Sequence, residues 1–108
     1  MIKFNCIYQS LKKVSGEWHA GHYEWIYIWN YCQFFEDGRM VYYTFSSEDT
    51  DAIKKWFVSD ENNGIRGTYE CENDKGHVIV GEKESPLSIY NDRIIIHWNS
   101  GPEMYFPI

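Results

Sequence analysis

The chain lacks most of the features that assign a sequence at sight. No run of about 18 apolar residues is present, so nothing reads as a transmembrane helix. Residues 1–13 mix polar and apolar side chains and lack the basic-then-apolar order of a signal peptide, so a cytoplasmic protein is expected. Cysteines number three, Cys6, Cys32 and Cys71, with no C-x-x-C spacing. An odd count argues against a disulfide framework and for reduced thiols serving as small apolar groups in strands. Repeats, linkers and low-complexity segments are missing too. The 108 residues therefore read as one domain, 1–108, long enough to bury a core without disulfides or metal.

Positive charge is scarce. The formal net charge is −6, from 16 acids against 10 bases. Residues 36–84 hold twelve of the acids and only six of the bases, so the imbalance lies in the middle of the chain. Such a field repels phosphate and makes nucleic acid an unsuitable partner, and no membrane partner is expected either. A basic protein is what it would attract.

Aromatic residues are plentiful: five Trp, nine Tyr and six Phe, 19% of the chain. They centre on Tyr31 to Phe45, where two apolar runs meet at Asp37-Gly38. Asp-Gly signals a two-residue hairpin turn, since Gly accepts positive φ. That turn pairs 36 with 39, 34 with 41, 32 with 43 and 30 with 45. Cys32 and Phe34 then share an inward face with Val41, Tyr43 and Phe45, and Glu36 faces Arg39. Just upstream, alternate positions Trp25, Tyr27, Trp29 and Tyr31 project to the other side. A barrel has one interior, so one of the two rows is expected to be exposed or covered by another element.

The remaining segments supply strands and one helix. Residues 2–9 alternate as a strand, with Lys12-Lys13 a solvated bend after it. Ser46 to Asp51 has the composition of a helix start, with Ser as cap and acids at the positive end of the dipole. Ala52, Ile53, Trp56 and Phe57 follow at helical spacing, which predicts a short helix from Glu48 to Val58 and a loop over 59–64. A turn centred on Asp74-Lys75 pairs 71 with 78. One at Asn91-Asp92 pairs Ile89 with Ile94 and Leu87 with Ile96. Asn99 to Pro102 forms the last turn before a strand over 103–108. Pro86 is expected at a strand start, where its missing N–H is harmless. The fold class is mainly β: an antiparallel meander forming a small barrel or half-barrel of about eight strands, with one short helix.

This arrangement resembles the calycin group, the lipocalin-like and fatty-acid-binding-protein-like barrels. Gly16-x-Trp18 on an early strand looks like their opening motif. Phe34-Phe35-Glu36-Asp37-Gly38 with Met40-Val41 is similar to the hairpin of small lipocalin-like domains, and Gly67-Thr68-Tyr69 with Val78-Ile79-Val80 to the strand pair after it. The resemblance implies a barrel and a binding role, without naming a ligand.

Chemistry-bearing clusters are thin. His19-Ala20-Gly21-His22, with Glu17 and Glu24, has ligands enough for a metal, but strand residues three apart point to opposite faces, so no metal site is assigned. His97, Glu103, Cys71 and Ser46 are raw materials for catalysis that no motif frames. Cys71 lies between Glu70 and Glu72, the wrong setting for an activated thiolate. The expectation is a non-enzymatic protein with no catalytic residue and no cofactor.

Two binding roles follow. The first rests on the acids Glu48, Asp49, Asp51, Asp60, Glu61, Glu70, Glu72 and Asp74 as a patch for a basic protein. In character the chain resembles immunity proteins that neutralise nuclease toxins, with Trp or Tyr as anchors between the acids. The alternative is a carrier of a small apolar ligand, in a cavity lined by Phe34, Val41, Tyr43, Phe45 and Tyr69. An uncovered aromatic row would also suit a homodimer.

Overall fold

The computed structural model describes residues 2–59 and 63–108. Nine strands and one helix are formed among them: β1 Ile7–Ser10, β2 Lys13–His19, β3 His22–Phe34, β4 Arg39–Phe45, α1 Thr50–Val58, β5 Ile65–Glu72, β6 Lys75–Val80, β7 Lys83–Ile89, β8 Ile94–Trp98 and β9 Gly101–Pro107. All pairings are antiparallel. From β3 to β9 each strand pairs with the next in sequence, and β1 closes the ring between β9 and β3. Eight strands thus make a closed barrel, which removes their free edges. The expected meander is present and complete.

β2 stands outside the ring. It pairs with residues 22–28 of β3, whereas β1 and β4 pair only with residues 29–34. The 13-residue β3 therefore runs through the barrel wall and out beyond it. With β2 it forms a two-stranded arm of seven residue pairs, about 20 Å long at ~3.4 Å per residue. The molecule measures 50 Å along its long axis and 29 by 28 Å across.

The barrel interior is packed by Tyr8, Cys32, Phe34, Met40, Tyr69, Val78, Leu87, Ile89, Ile94, Ile96 and Tyr105. Phe34 meets Tyr8 and Tyr69 edge-on, with ring centroids 5.9 and 5.0 Å apart. A second cluster lies on the outer wall. There Ile53 and Phe57 of α1 cover Ile7, Tyr31 and Val41, with Trp29, Phe45 and Trp56 at the margin. The helix is held at its start by Asp49, whose carboxylate accepts from the Ala52 N–H. The expected serine cap is displaced: Ser47 Oγ instead accepts from the Asp49 N–H.

The register of the central hairpin differs from the sequence expectation. Phe34 pairs with Met40, Cys32 with Tyr42 and Tyr31 with Tyr43. The loop has three residues, Glu36-Asp37-Gly38. Gly38 N–H donates to Phe35 O, Phe35 N–H donates to Arg39 O, and Gly38 takes φ +92°. A left-handed glycine after a tight turn adds one residue to the loop, and one residue moves every β4 side chain to the other face. Val41, Tyr43 and Phe45 therefore face outward beneath α1, while Met40 and Tyr42 face in. Arg39 pairs with Asp37 at 2.7 Å, not with Glu36. Of the five expected cavity residues, only Phe34 and Tyr69 point into the barrel.

Candidate partner-binding face

The arm carries a face of exposed aromatic rings. Odd positions of β3 point one way, and the register sets Trp18 against Tyr23, Gly16 against Trp25 and Val14 against Tyr27. Trp18 is 73% exposed and Trp25 64%; Val14, Tyr23 and Tyr27 are also exposed. Trp18, Tyr23 and Trp25 form an edge-to-face ladder with centroid spacings of 5.5 and 5.0 Å. Gly16 makes room for it. A Cβ there would sit inside the Tyr23 ring, so any larger residue pushes that ring off the strand. Lys12 adds its ammonium 4.8 Å from the Tyr27 ring centroid.

The same row continues down the barrel wall, through half-buried Trp29 to buried Tyr31, where α1 begins its cover. The Tyr31 hydroxyl donates to Ser47 O at 2.9 Å and accepts from Gln9 Nε2 at 2.8 Å. That bond fixes the turn before α1 at the place where the aromatic row emerges. Glu48, Asp49 and Asp51 follow Ser47 directly and are exposed. These acids therefore start at the covered, Tyr31 end of the aromatic row, and burial, helped by the Glu48 charge, pushes the Tyr31 phenol up.

The arm's other face holds two histidine–glutamate pairs. Ala20 and Gly21 both take positive φ, +48° and +84°, which makes a tight turn and sets His19 opposite His22. The expectation that the two histidines point to opposite faces fails because both belong to one hairpin tip. His19 lies 3.0 Å from Glu17 and His22 2.7 Å from Glu24. Among the described residues no three His, Cys, Asp or Glu side chains converge on a metal position.

At the arm's root the barrel mouth contains a buried carboxylate. Glu103, 7% exposed, accepts two bonds from Asn30 Nδ2, at 3.0 and 2.8 Å. It also accepts from the Tyr105 hydroxyl and pairs with Lys13, the first residue of β2. Trp98 Nε1 donates to the Tyr105 oxygen at 2.9 Å, and Thr44 Oγ1 to Asn30 Oδ1 at 2.6 Å. Burial first, then the Cys32 thiol and the Glu103 carboxylate, push the Tyr105 phenol far above its ordinary value. Burial and the Glu103 charge do the same, more mildly, to Tyr42. Lys13, expected in a solvated bend, instead pins the arm to the barrel. A lone acid followed by a strand gives no hint of this network in sequence.

The acids named from sequence fall in two places. Glu48, Asp49 and Asp51 follow the C-terminal end of β4. Glu70, Glu72 and Asp74 lie at the β5–β6 hairpin, beyond Thr68, which pairs with Arg39 at the other end of β4. Asp60 and Glu61 lie outside the described residues. His97 projects outward, its Nε2 3.1 Å from Ser88 Oγ, while neighbouring Glu103 points in, so the two share no cleft. Comparison with protein-family models, curated proteins and solved structures finds no match to this chain.

Proposed function

We propose that the protein is a non-enzymatic binding module, a calycin-like barrel that holds a basic protein partner against the aromatic face of its arm. One observation carries this reading. Among the described residues the arm is a two-stranded ribbon unpaired on both outer edges, and its aromatic side faces solvent. Isolated two-stranded ribbons are marginal in water, and contiguous exposed apolar surface marks an interaction site. Tryptophan and tyrosine are the usual anchors of such sites.

Charge selects the partner's chemistry. Glu48, Asp49 and Asp51 follow the turn that Tyr31 holds at the covered end of the aromatic row, and a guanidinium suits both kinds of group, stacking on indole and pairing with carboxylate. The chain's net charge of −6 would steer a basic partner towards it. An inhibitor of the immunity type, masking the basic cleft of a nuclease toxin, fits this surface. The apolar-carrier alternative has less support, because the barrel's interior is occupied by its own side chains and three of its five expected lining residues face outward.

Native mass spectrometry of the protein purified at low salt from its own host tests the proposal. A basic polypeptide should accompany the wild type, dissociate at high salt, and be absent with Trp18→Ser and Trp25→Ser together. Each anchor should contribute about 2 kcal/mol or more. Retention of the partner by that double variant, or a self-dimer alone, would refute the assignment.

A further inference from the structure

We infer that the outer edge of β3 in the arm is a docking site for an added strand, and that its occupant is an extended basic segment of a protein partner. The hydrogen-bond parity of β3 is fixed by three bonds. Asn5 N–H donates to Phe34 O and Asn30 N–H to Ser10 Oγ, both at 2.9 Å, so even residues turn their backbone groups to the β1 side. Phe35 N–H donates to Arg39 O, so odd residues turn theirs to the β4 side. The arm keeps this parity. Ala20 and Gly21, both at positive φ, form a two-residue turn closed by His19 and His22, and the closing pair of such a turn exchanges both of its bonds. The even residues of 22–28 therefore bond to β2. The N–H and C=O groups of Tyr23, Trp25 and Tyr27 point to the opposite edge.

No described strand meets them there. β4 ends at Phe45, opposite Trp29, and the chain then turns back over the outer wall, where Ser47 O accepts from the Tyr31 hydroxyl. The line of β4 is left open along the arm, with Tyr23, Trp25 and Tyr27 all exposed beside it. Natural edge strands are usually blunted by lysine, proline or a bulge. The arm's other edge, β2, has Lys12 and Lys13 at its start and Gly16 in its middle. Residues 22–28 contain no lysine, proline or glycine, are mostly aromatic or β-branched, and pair with β2 without a bulge. That is an edge shaped to accept a strand, with backbone bonds supplying affinity and alternate side chains supplying choice.

Charge selects the occupant. Residues 22–28 carry one carboxylate, Glu24, and no arginine, and the acids Glu48 and Asp49 come within four residues of the end of β4. An added strand sets its side chains alternately beside the aromatic rings and beside Glu24. Arginine suits both positions, stacking on Trp25 on one face and pairing with Glu24 on the other. The natural occupant's being a basic protein rests on the function proposed above, whereas the open edge stands on the backbone register alone.

Residue-by-residue amide hydrogen exchange of the wild-type protein, followed by NMR, tests the edge. The probe is an acetylated, amidated octapeptide alternating arginine and valine. In the free protein Tyr23, Trp25 and Tyr27 should exchange fast, and Glu24 and Ile26 more slowly through their bonds to β2. The probe should slow exchange at 23, 25 and 27 about fivefold or more, with a Kd below about 1 mM. The same peptide N-methylated at every residue should give no protection, and one alternating glutamate and valine should bind about tenfold more weakly or worse. Protection of 23, 25 and 27 in the free protein would mean that this chain or a second copy already fills the edge. A shift of the Trp25 indole resonance without slowed exchange would put the peptide on the rings alone. Either result, no protection up to about 5 mM probe, or equal binding of the acidic peptide would overturn the inference. Protection by the probe, with no basic polypeptide recovered from the host, would support the edge site and count only against the partner reading.

Discussion

At the residue scale, the interior is governed by polar atoms placed among rings. Tyr8, Tyr31, Tyr42, Tyr69 and Tyr105 all have phenols pushed upward, by burial first in each case, and Tyr69 is pushed up to about 12. Unfolded tyrosine ionises near 10. Between those values the unfolded chain has lost phenolic protons that the folded chain retains. The unfolded state then binds fewer protons, so stability falls as pH rises. Below about pH 10 both states are protonated and these groups add no pH dependence. Urea unfolding over an alkaline series should show a midpoint that is flat up to about pH 9.5 and declines thereafter. Phenolate absorbance from the buried set should rise together with loss of near-ultraviolet dichroism. Complete ionisation of all nine tyrosines with the fold intact would contradict the packing described.

At the element scale, loop length decides which side of a strand is seen. The Asn91-Asp92 turn pairs Ile89 with Ile94 and Leu87 with Ile96, as the sequence indicates. The β5–β6 turn sits one residue earlier than the spacing suggests, at Asn73-Asp74 with Asn73 at φ +59°, which changes the pairing to 71 with 76. That slip totals two residues, so Tyr69 and Val78 stay on one face. At Asp37-Gly38 the error is a single residue, and the whole inward face of β4 is reversed. Pro86, expected at a strand start, lies mid-strand in β7, opposite His77, just before pairing with β8 begins at Leu87. The short helix was legible from its spacing; its contacts were not, because they depend on which face of β4 looks outward. Its cover of that face is directly testable. Ile53→Ala, at a 2% exposed position against Tyr31 and Val41, should cost about 2–5 kcal/mol in urea unfolding. The exposed Lys55→Ala should stay within about 0.5 kcal/mol. Equal effects of the two would mean that α1 is not packed on the wall.

At the scale of the whole molecule, a closed barrel is joined to an arm that contributes nothing to the barrel's core. The alternating pattern of β3 reads as one uninterrupted strand, and no residue within it marks where the wall ends and the arm begins. The row of Trp and Tyr was visible in sequence, as was the choice between exposure and cover. The structure realises both along one strand: cover at Tyr31, exposure from Tyr27 to Tyr23. Gly16-x-Trp18, read as a barrel motif, belongs to the arm. Likeness to calycins therefore rests on the closed meander. Among the described residues no helix is long and apolar enough to cross a membrane. Among the described residues, the aromatic face of the arm is left without a covering element, and the proposed cover is a basic protein. The most direct measurement is photo-crosslinking in the native host, with benzoylphenylalanine replacing Trp25 in one variant and exposed Tyr90, at the far end of the barrel, in another. A covalent adduct with a basic polypeptide is expected at position 25, abolished by Glu48→Lys with Asp51→Lys, and none at position 90. Adducts at both positions alike, or only with a second copy of this chain at 25, would contradict it.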